Sequence, residues 1–227
     1  MSICGSNTAV KREGSRHTYI SLPCNSWHCE HCQPKRLKEV RAQSFAGAPD
    51  MFLTFTIRPD GRTTPEQAIL KLTDAFRKLR LKILRRNPQA GFPFMAFVER
   101  HQSGYPHLHI LARSRFIPHK WISNQMRAYI NSPVVSIERL HTKSKKASYC
   151  SSYSSKCLQK VGTAKRYWKS KDYDLRDKDE LEKYKKGKKG WFVSMLKLAT
   201  IRRTALDTHA FIYIDEPGRL VLDWFPP

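Results

Sequence analysis

The run PHLHIL at Pro106–Leu111 places histidine and aliphatic side chains on alternating positions. A period of two belongs to a β-strand, whose successive side chains point to opposite faces. Leu108 and Ile110 are therefore predicted to enter a core, and His107 and His109 to share the open face behind it. A helix cannot satisfy the pattern, because positions two apart on a helix face nearly opposite ways. Two imidazoles side by side can hold one metal ion, with a carboxylate from a neighbouring strand completing a site that keeps room for water or substrate. Glu99, at the end of the preceding run FPFMAFVE, is the candidate third ligand, and His101, of the same parity, is its reserve. His-x-His also recurs by chance, so the spacing alone equally fits a plain surface strand.

The sequence around this strand predicts alternating sheet and helix. MFLTFTIRP (Met51–Pro59) is rich in strand formers and ends on the turn signal Pro59-Asp60-Gly61. Thr64-Pro65-Glu66-Gln67 then supplies an N-cap, a first-turn proline and a capping-box glutamine. Ile69, Leu72, Phe76, Leu79 and Ile83 follow at helical spacing, with lysine and arginine filling most of the remaining positions. That helix should cover the sheet and turn a basic back to solvent. FPFMAFVE and HLHILA form a hairpin across Ser103-Gly104. A helix over about 118–130, a strand at VVSIERL, a serine-rich helix over about 145–160 and a terminal hairpin around Glu216-Pro217-Gly218 complete the reading. The residues from Asp172 to Lys189 are almost all charged and read as a solvated loop or loose helix.

Cysteine usage is uneven. Cys24, Cys29 and Cys32 form a C-x4-C-x2-C run, and Cys4 is available as a fourth ligand, with His28 and His31 as alternatives in the same loop. Short cysteine spacings in a reduced protein favour a structural Zn²⁺. Cys150 and Cys157 read as helix packing.

Forty-two lysines and arginines against 19 acids leave a formal charge of +23. Nucleic acid is the partner such a field selects first, ahead of anionic membrane. Neither a run of roughly 18 apolar residues nor a signal-peptide core is apparent, so a cytoplasmic protein without a membrane partner is expected. Lys35, Arg36, Lys38 and Arg41 lie close in sequence to Trp27, and Arg166 and Lys169 flank Tyr167-Trp168. Cations interleaved with aromatics suit single-stranded DNA, whose bases stack while its phosphates pair.

YCSSYSSK places Tyr149 and Tyr153 four apart, on one helical face with Cβ atoms about 5–6 Å apart, and Lys156 follows. FLTFTIRP, GYPHLHIL and YCSSYSSK, in this order, resemble the three motifs of rolling-circle replication initiators, the HUH endonucleases of phages and plasmids, in their two-tyrosine class. KRYWKSK (Lys165–Lys171) is similar to the segment that follows their tyrosine helix, and the cysteine cluster resembles the N-terminal segment of many of them. The resemblance covers about residues 52–170.

The resemblance implies an α+β fold with a ferredoxin-like core: a central antiparallel sheet carries the HUH strand, helices pack on it, and the tyrosine helix lies across the metal. It implies Mg²⁺ or Mn²⁺ at His107, His109 and Glu99, with Tyr153 and Tyr149 as nucleophiles and Lys156 beside them. The lysine three positions after each tyrosine is kept for Tyr153 and replaced by Ser152 for Tyr149, which ranks Tyr153 first. The expected organisation is a zinc module over 1–45, a catalytic domain over 46–172 and a charged segment with a hairpin over 173–227. The expected function is nicking and joining of single-stranded or hairpin DNA at a replication origin in a bacterial cytoplasm. Host helicase and polymerase are expected partners, since no phosphate-loop motif is present. An HUH-type transposase and a non-enzymatic zinc-containing regulator are the alternatives.

Overall fold

Strand-forming residues with alternating burial, closed by turn residues, build most of the fold. The computed structural model describes residues 4–130, 133–158, 160–176, 191–194, 197–207, 211–213 and 219–223. In chain order its elements are β1 (Thr8–Glu13), β2 (Arg16–Ser21), α1 (Cys32–Ala46), β3 (Met51–Ile57), α2 (Pro65–Arg86), β4 (Phe94–Arg100), β5 (Pro106–Ala112) and α3 (His119–Tyr129). There follow β6 (Pro133–Arg139), α4 (Lys143–Ser155), β7 (Tyr167–Lys169), β8 (Trp191–Ser194), α5 (Leu198–Asp207), β9 (Phe211–Tyr213) and β10 (Arg219–Asp223). The class is α+β. The described residues divide into two units, one from residues 1–36 and 176–227, the other from 37–175.

The second unit is built on an antiparallel sheet of order β6-β3-β5-β4-β7, with the histidine strand β5 at its centre. One face carries Leu53, Phe55, Ala96, Val98, Leu108 and Ile110 into the main core, which also holds residues of α2 and α3. The α2 N-terminus forms as its sequence predicts: Gln67 N–H donates to the Thr64 hydroxyl (3.2 Å) and Thr64 N–H donates to the Gln67 side chain (3.0 Å). Ile69, Leu72, Phe76, Leu79 and Ile83 are all buried. At about 1.5–3 kcal/mol for each large apolar side chain removed from water, this stripe contributes on the order of 10 kcal/mol before chain entropy is counted.

The opposite face of the sheet presents Phe52, Thr54, Met95, Glu99, His107 and His109, alternating with the core residues along β3, β4 and β5. Ser44 of α1 donates to the Met95 sulfur at 3.6 Å, and the tyrosines of α4 meet Phe52. Cys150 and Cys157 are fully buried, as packing residues should be. Gly47 is required here by its neighbour: a Cβ at this position would fall 2.0 Å from the ring of Tyr173, which is fully buried and donates its hydroxyl to the Ser44 carbonyl at 2.9 Å. Gly47→Ala is therefore expected to destabilise this unit by about 3 kcal/mol, read as a lower denaturant midpoint at unchanged slope. An unchanged midpoint would mean that Tyr173 is not held where it is found.

The other unit joins the two ends of the chain. The sequence set the first 45 residues and the last 55 or so apart as separate segments. In the structure both ends supply strands to one antiparallel sheet, of order β8-β1-β2-β10-β9. An isolated two-stranded hairpin is at best marginal in water and exposes two edges; β8 pairs with the edge of β1, and β10 with that of β2. The β1–β2 turn is Gly14-Ser15, with Gly14 at φ +60°, as a two-residue hairpin turn requires. Strands β9 and β10 pair antiparallel as the terminal hairpin predicts. Its turn at residues 216–218, and the charged stretch 177–190, lie outside the described residues. Among the described residues, no helix is long and apolar enough to cross a membrane.

Candidate functional site

The antiparallel register of β3, β5 and β4 sets Thr54 opposite His109, and His107 opposite Glu99. These side chains share the face turned away from the main core. His109 is only 4 % exposed, so the expected open face is in fact covered: the Tyr153 ring lies over it, with ring centroids 4.4 Å apart. His107 is half-buried, its ring stacked on that of His101 at 4.7 Å and 5.9 Å from that of His109.

Both nitrogens of His109 are engaged. Nε2 lies 2.7 Å from Glu99 Oε2 and Nδ1 lies 3.0 Å from the Thr54 hydroxyl. Burial pushes the His109 pKa down, so the ring is neutral. Nε2–H then donates to Glu99, and Nδ1 accepts from Thr54. Glu99 also accepts from the Lys156 ammonium through Oε1. The bond from His109, followed by that from Lys156, outweighs desolvation and holds the Glu99 carboxyl at about 2, well below its usual range. His107 is pushed down by burial and by its two imidazole neighbours.

The tyrosines reach this site because α4 is capped and in register. The Thr142 hydroxyl accepts from Lys145 N–H at 3.1 Å, and a spacing of four puts Tyr149 and Tyr153 on one face, their rings 5.8 Å apart. Both rest on Phe52, at 4.6 and 4.4 Å. Arg41 of α1 donates to the Ser151 hydroxyl between them at 3.0 Å. Burial, then the charges of Glu99 and Glu138, raise the Tyr153 pKa, so the phenol is protonated as it stands. Lys156 is paired with Glu99 instead of with either phenol.

The structure thus gathers Glu99, His107, His109, Tyr149, Tyr153 and Lys156. Sequence reasoning missed Thr54 and Phe52 as members of the site; both lie in the FLTFTIRP run, and only the strand register shows what they touch. The donor set suits a divalent ion. It offers two imidazoles and a carboxylate, and a hydroxyl on the far nitrogen of one ring orients a ligating histidine. Among the described residues, however, only Cys4, Cys24, Cys29 and Cys32 bring all their ligand atoms within 4.8 Å of one another. His107 stands off from the bonded His109–Glu99 pair.

The four cysteines can hold a metal such as zinc. Cys4 precedes β1 and Cys24 follows β2, so they mark the open end of that hairpin, while Cys29 and Cys32 form the turn that starts α1. The Cys32 sulfur lies 3.4 Å from that of Cys4 and 3.7 Å from that of Cys24. A tetrahedron with Zn–S bonds of about 2.3 Å has edges of about 3.8 Å, whereas a disulfide needs about 2.05 Å. Cys4, and neither His28 nor His31, completes the group.

The candidate DNA-binding cations are less uniform. Lys35 is exposed, and the Arg36 guanidinium lies 4.2 Å over the Trp27 ring. Arg166 donates to the Leu158 carbonyl at 2.8 Å, and Lys169 pairs with Asp174 at 2.6 Å, so both have structural partners.

No curated protein matches the chain. Among solved structures, the hypothetical protein ORF119 of Sulfolobus islandicus rod-shaped virus 1 aligns at 18 % identity and a TM-score of 0.35, over 56 % of this chain and 98 % of that one. Residues 50–158, just short of half the chain, match the model of the replication-associated protein ORF2 family, which supports a replication-initiator type of protein with a role in DNA replication.

Proposed function

We propose that the protein nicks and rejoins single-stranded DNA at a replication origin through a 5′-phosphotyrosine, starting rolling-circle replication of a phage or plasmid. The observation that carries this reading is the packing of the Tyr153 ring over His109, itself bonded to Glu99, within the stretch that matches the replication-associated family. A divalent ion at His107, His109 and Glu99, Mg²⁺ or the more imidazole-tolerant Mn²⁺, would act as a Lewis acid toward the scissile phosphate. Everything else falls to the chain's own groups. The Tyr153 oxygen attacks phosphorus, a P–O bond forms, and the bond to the 3′ oxygen breaks. The phenol loses a proton and the leaving 3′ hydroxyl gains one, so the proton count balances. The phosphodiester energy stays in the tyrosine ester, available for rejoining. Lys156 is one turn from Tyr153, close enough to offset charge on the phenolate or the flanking phosphate.

His107→Ala is the cleanest test, because this half-buried ring has no hydrogen-bond partner to orphan among those described. It is expected to abolish metal-dependent nicking of origin oligonucleotides while leaving their binding nearly intact. Thr54→Val, which removes only the hydroxyl that orients His109, is expected to lower nicking about 10–100-fold. Glu99→Gln should weaken the metal dependence less completely than His107→Ala. Nicking that survives His107→Ala in the presence of EDTA would refute the metal assignment. A silent Glu99→Gln beside an inactive His101→Ala would move the third ligand to His101.

A further inference from the structure

We propose that a groove on the far side of the catalytic sheet is a second single-stranded DNA site, seating one unpaired base against Phe116 with adjoining phosphates on Arg86 and Arg115. The groove lies between the end of α2 and the loop into α3, and encloses about 170 Å³ bounded by Ile83, Arg86, Asn87, Arg115, Phe116 and Trp121. Both helices pack on the Leu108 and Ile110 face, so the groove and the His107–His109 face lie on opposite sides of the sheet.

Three observations point to this ligand. Phe116 is 77 % exposed, the most exposed large apolar side chain described, and it stands at the groove. Residues 75–93 and 113–130, which supply every wall residue, contain no Asp or Glu and ten Lys or Arg. Two of these cations are ordered along aromatic faces: Arg86 lies 5.2 Å over Trp121, and Lys82 lies 5.3 Å over Tyr129. A positive groove whose walls hold no carboxylate selects a polyanion, and an exposed ring beside it selects one with free π-faces, which single strands offer and paired bases do not. The volume is smaller than the roughly 300–1,000 Å³ of pockets that take whole drug-sized ligands, and suits one planar ring. A single strand engaged here and at the tyrosines would wrap an edge of the sheet.

The test needs no cleavage, so its outcome is separate from that of the nicking reading. Binding of the intact protein to a short mixed-sequence single strand and to the matching duplex is followed by fluorescence anisotropy over a salt series. Phe116→Ala is expected to weaken single-strand binding roughly tenfold, leaving the salt slope and the duplex affinity unchanged. Arg86→Gln with Arg115→Gln is expected to lower the single-strand salt slope by about 1.4, or about 0.7 per phosphate contact. Losing no single-strand affinity in Phe116→Ala, losing duplex affinity equally, or an unchanged slope in the double arginine variant would each overturn the proposal. Tighter binding of an RNA strand of the same sequence would overturn the assignment to DNA.

Discussion

Replacing Tyr153 by phenylalanine is expected to reduce the first covalent protein–DNA adduct about a thousandfold, equivalent to ~4 kcal/mol of transition-state stabilisation. The substitution removes one oxygen and keeps the ring that packs on Phe52 and His109, so folding and DNA affinity should not change with it. Tyr153 ranks ahead of Tyr149 on two counts: its ring covers His109, and Lys156 follows it by three residues. Tyr149 lies on the same face of α4, its ring 5.8 Å away and nearly parallel. In the proposed rolling-circle cycle, the origin would be regenerated after one round of synthesis while the first 5′ end is still esterified. A second phenol beside the first can then make the second cut, and the new 3′ hydroxyl attacks the first ester to close a circle. Tyr149→Phe is thus expected to leave the first cut intact and impair circle release, and the double variant to do neither. Mass spectrometry of the peptide–oligonucleotide adduct locates the bond. A nucleotide found only on Tyr149 would reverse the order, and one found on neither tyrosine would end the mechanism.

What the sequence revealed, and what it withheld, follows the range of the interactions involved. The α2 capping box, the β4–β5 hairpin and the alternation along β5 involve residues a few positions apart, and their signals sit in short stretches. The same holds for the tyrosine pair, whose common face follows from a spacing of four. Thr54 and His109 are 55 positions apart, and Lys156 and Glu99 57; only the strand order and the placement of α4 bring them together. Alternation tells which face a side chain takes, and not what lies on that face, so the cover over His109 was legible only through the family resemblance, which sets the tyrosine helix across the histidines. The N-terminal strands carry a local signal, alternation on both sides of Gly14-Ser15, but the density of cysteines nearby fits a free-standing metal module equally well. Nothing local could show that TAVKRE and RHTYIS complete their sheet with strands from the far end of the chain.

That pairing changes what removal of a zinc held by the four cysteines should do. Small sites with a structural Zn²⁺ draw on the order of 10 kcal/mol of apparent binding free energy from the metal near neutral pH, comparable to the whole net stability of about 5–15 kcal/mol of a typical domain. The cysteine group would tie the open end of the β1–β2 hairpin to the start of α1, so its loss frees the hairpin at the end its turn does not hold. From the sequence alone, only about the first 45 residues should loosen. From the strand order, β8 and β10 lose their partners as well, since each is hydrogen-bonded to a strand of that hairpin. Stripping the metal with a strong chelator, or replacing Cys32 by serine, is therefore expected to erase amide-exchange protection in β1, β2, β8 and β10 together. Protection in β3, β4 and β5 should persist, because their ladder closes within its own sheet. Metal analysis should find zinc that resists mild EDTA; four freely titratable thiols and no zinc would sink the site. Protection kept in β8 and β10 after it is lost from β1 and β2 would refute the shared sheet while leaving the zinc itself in place.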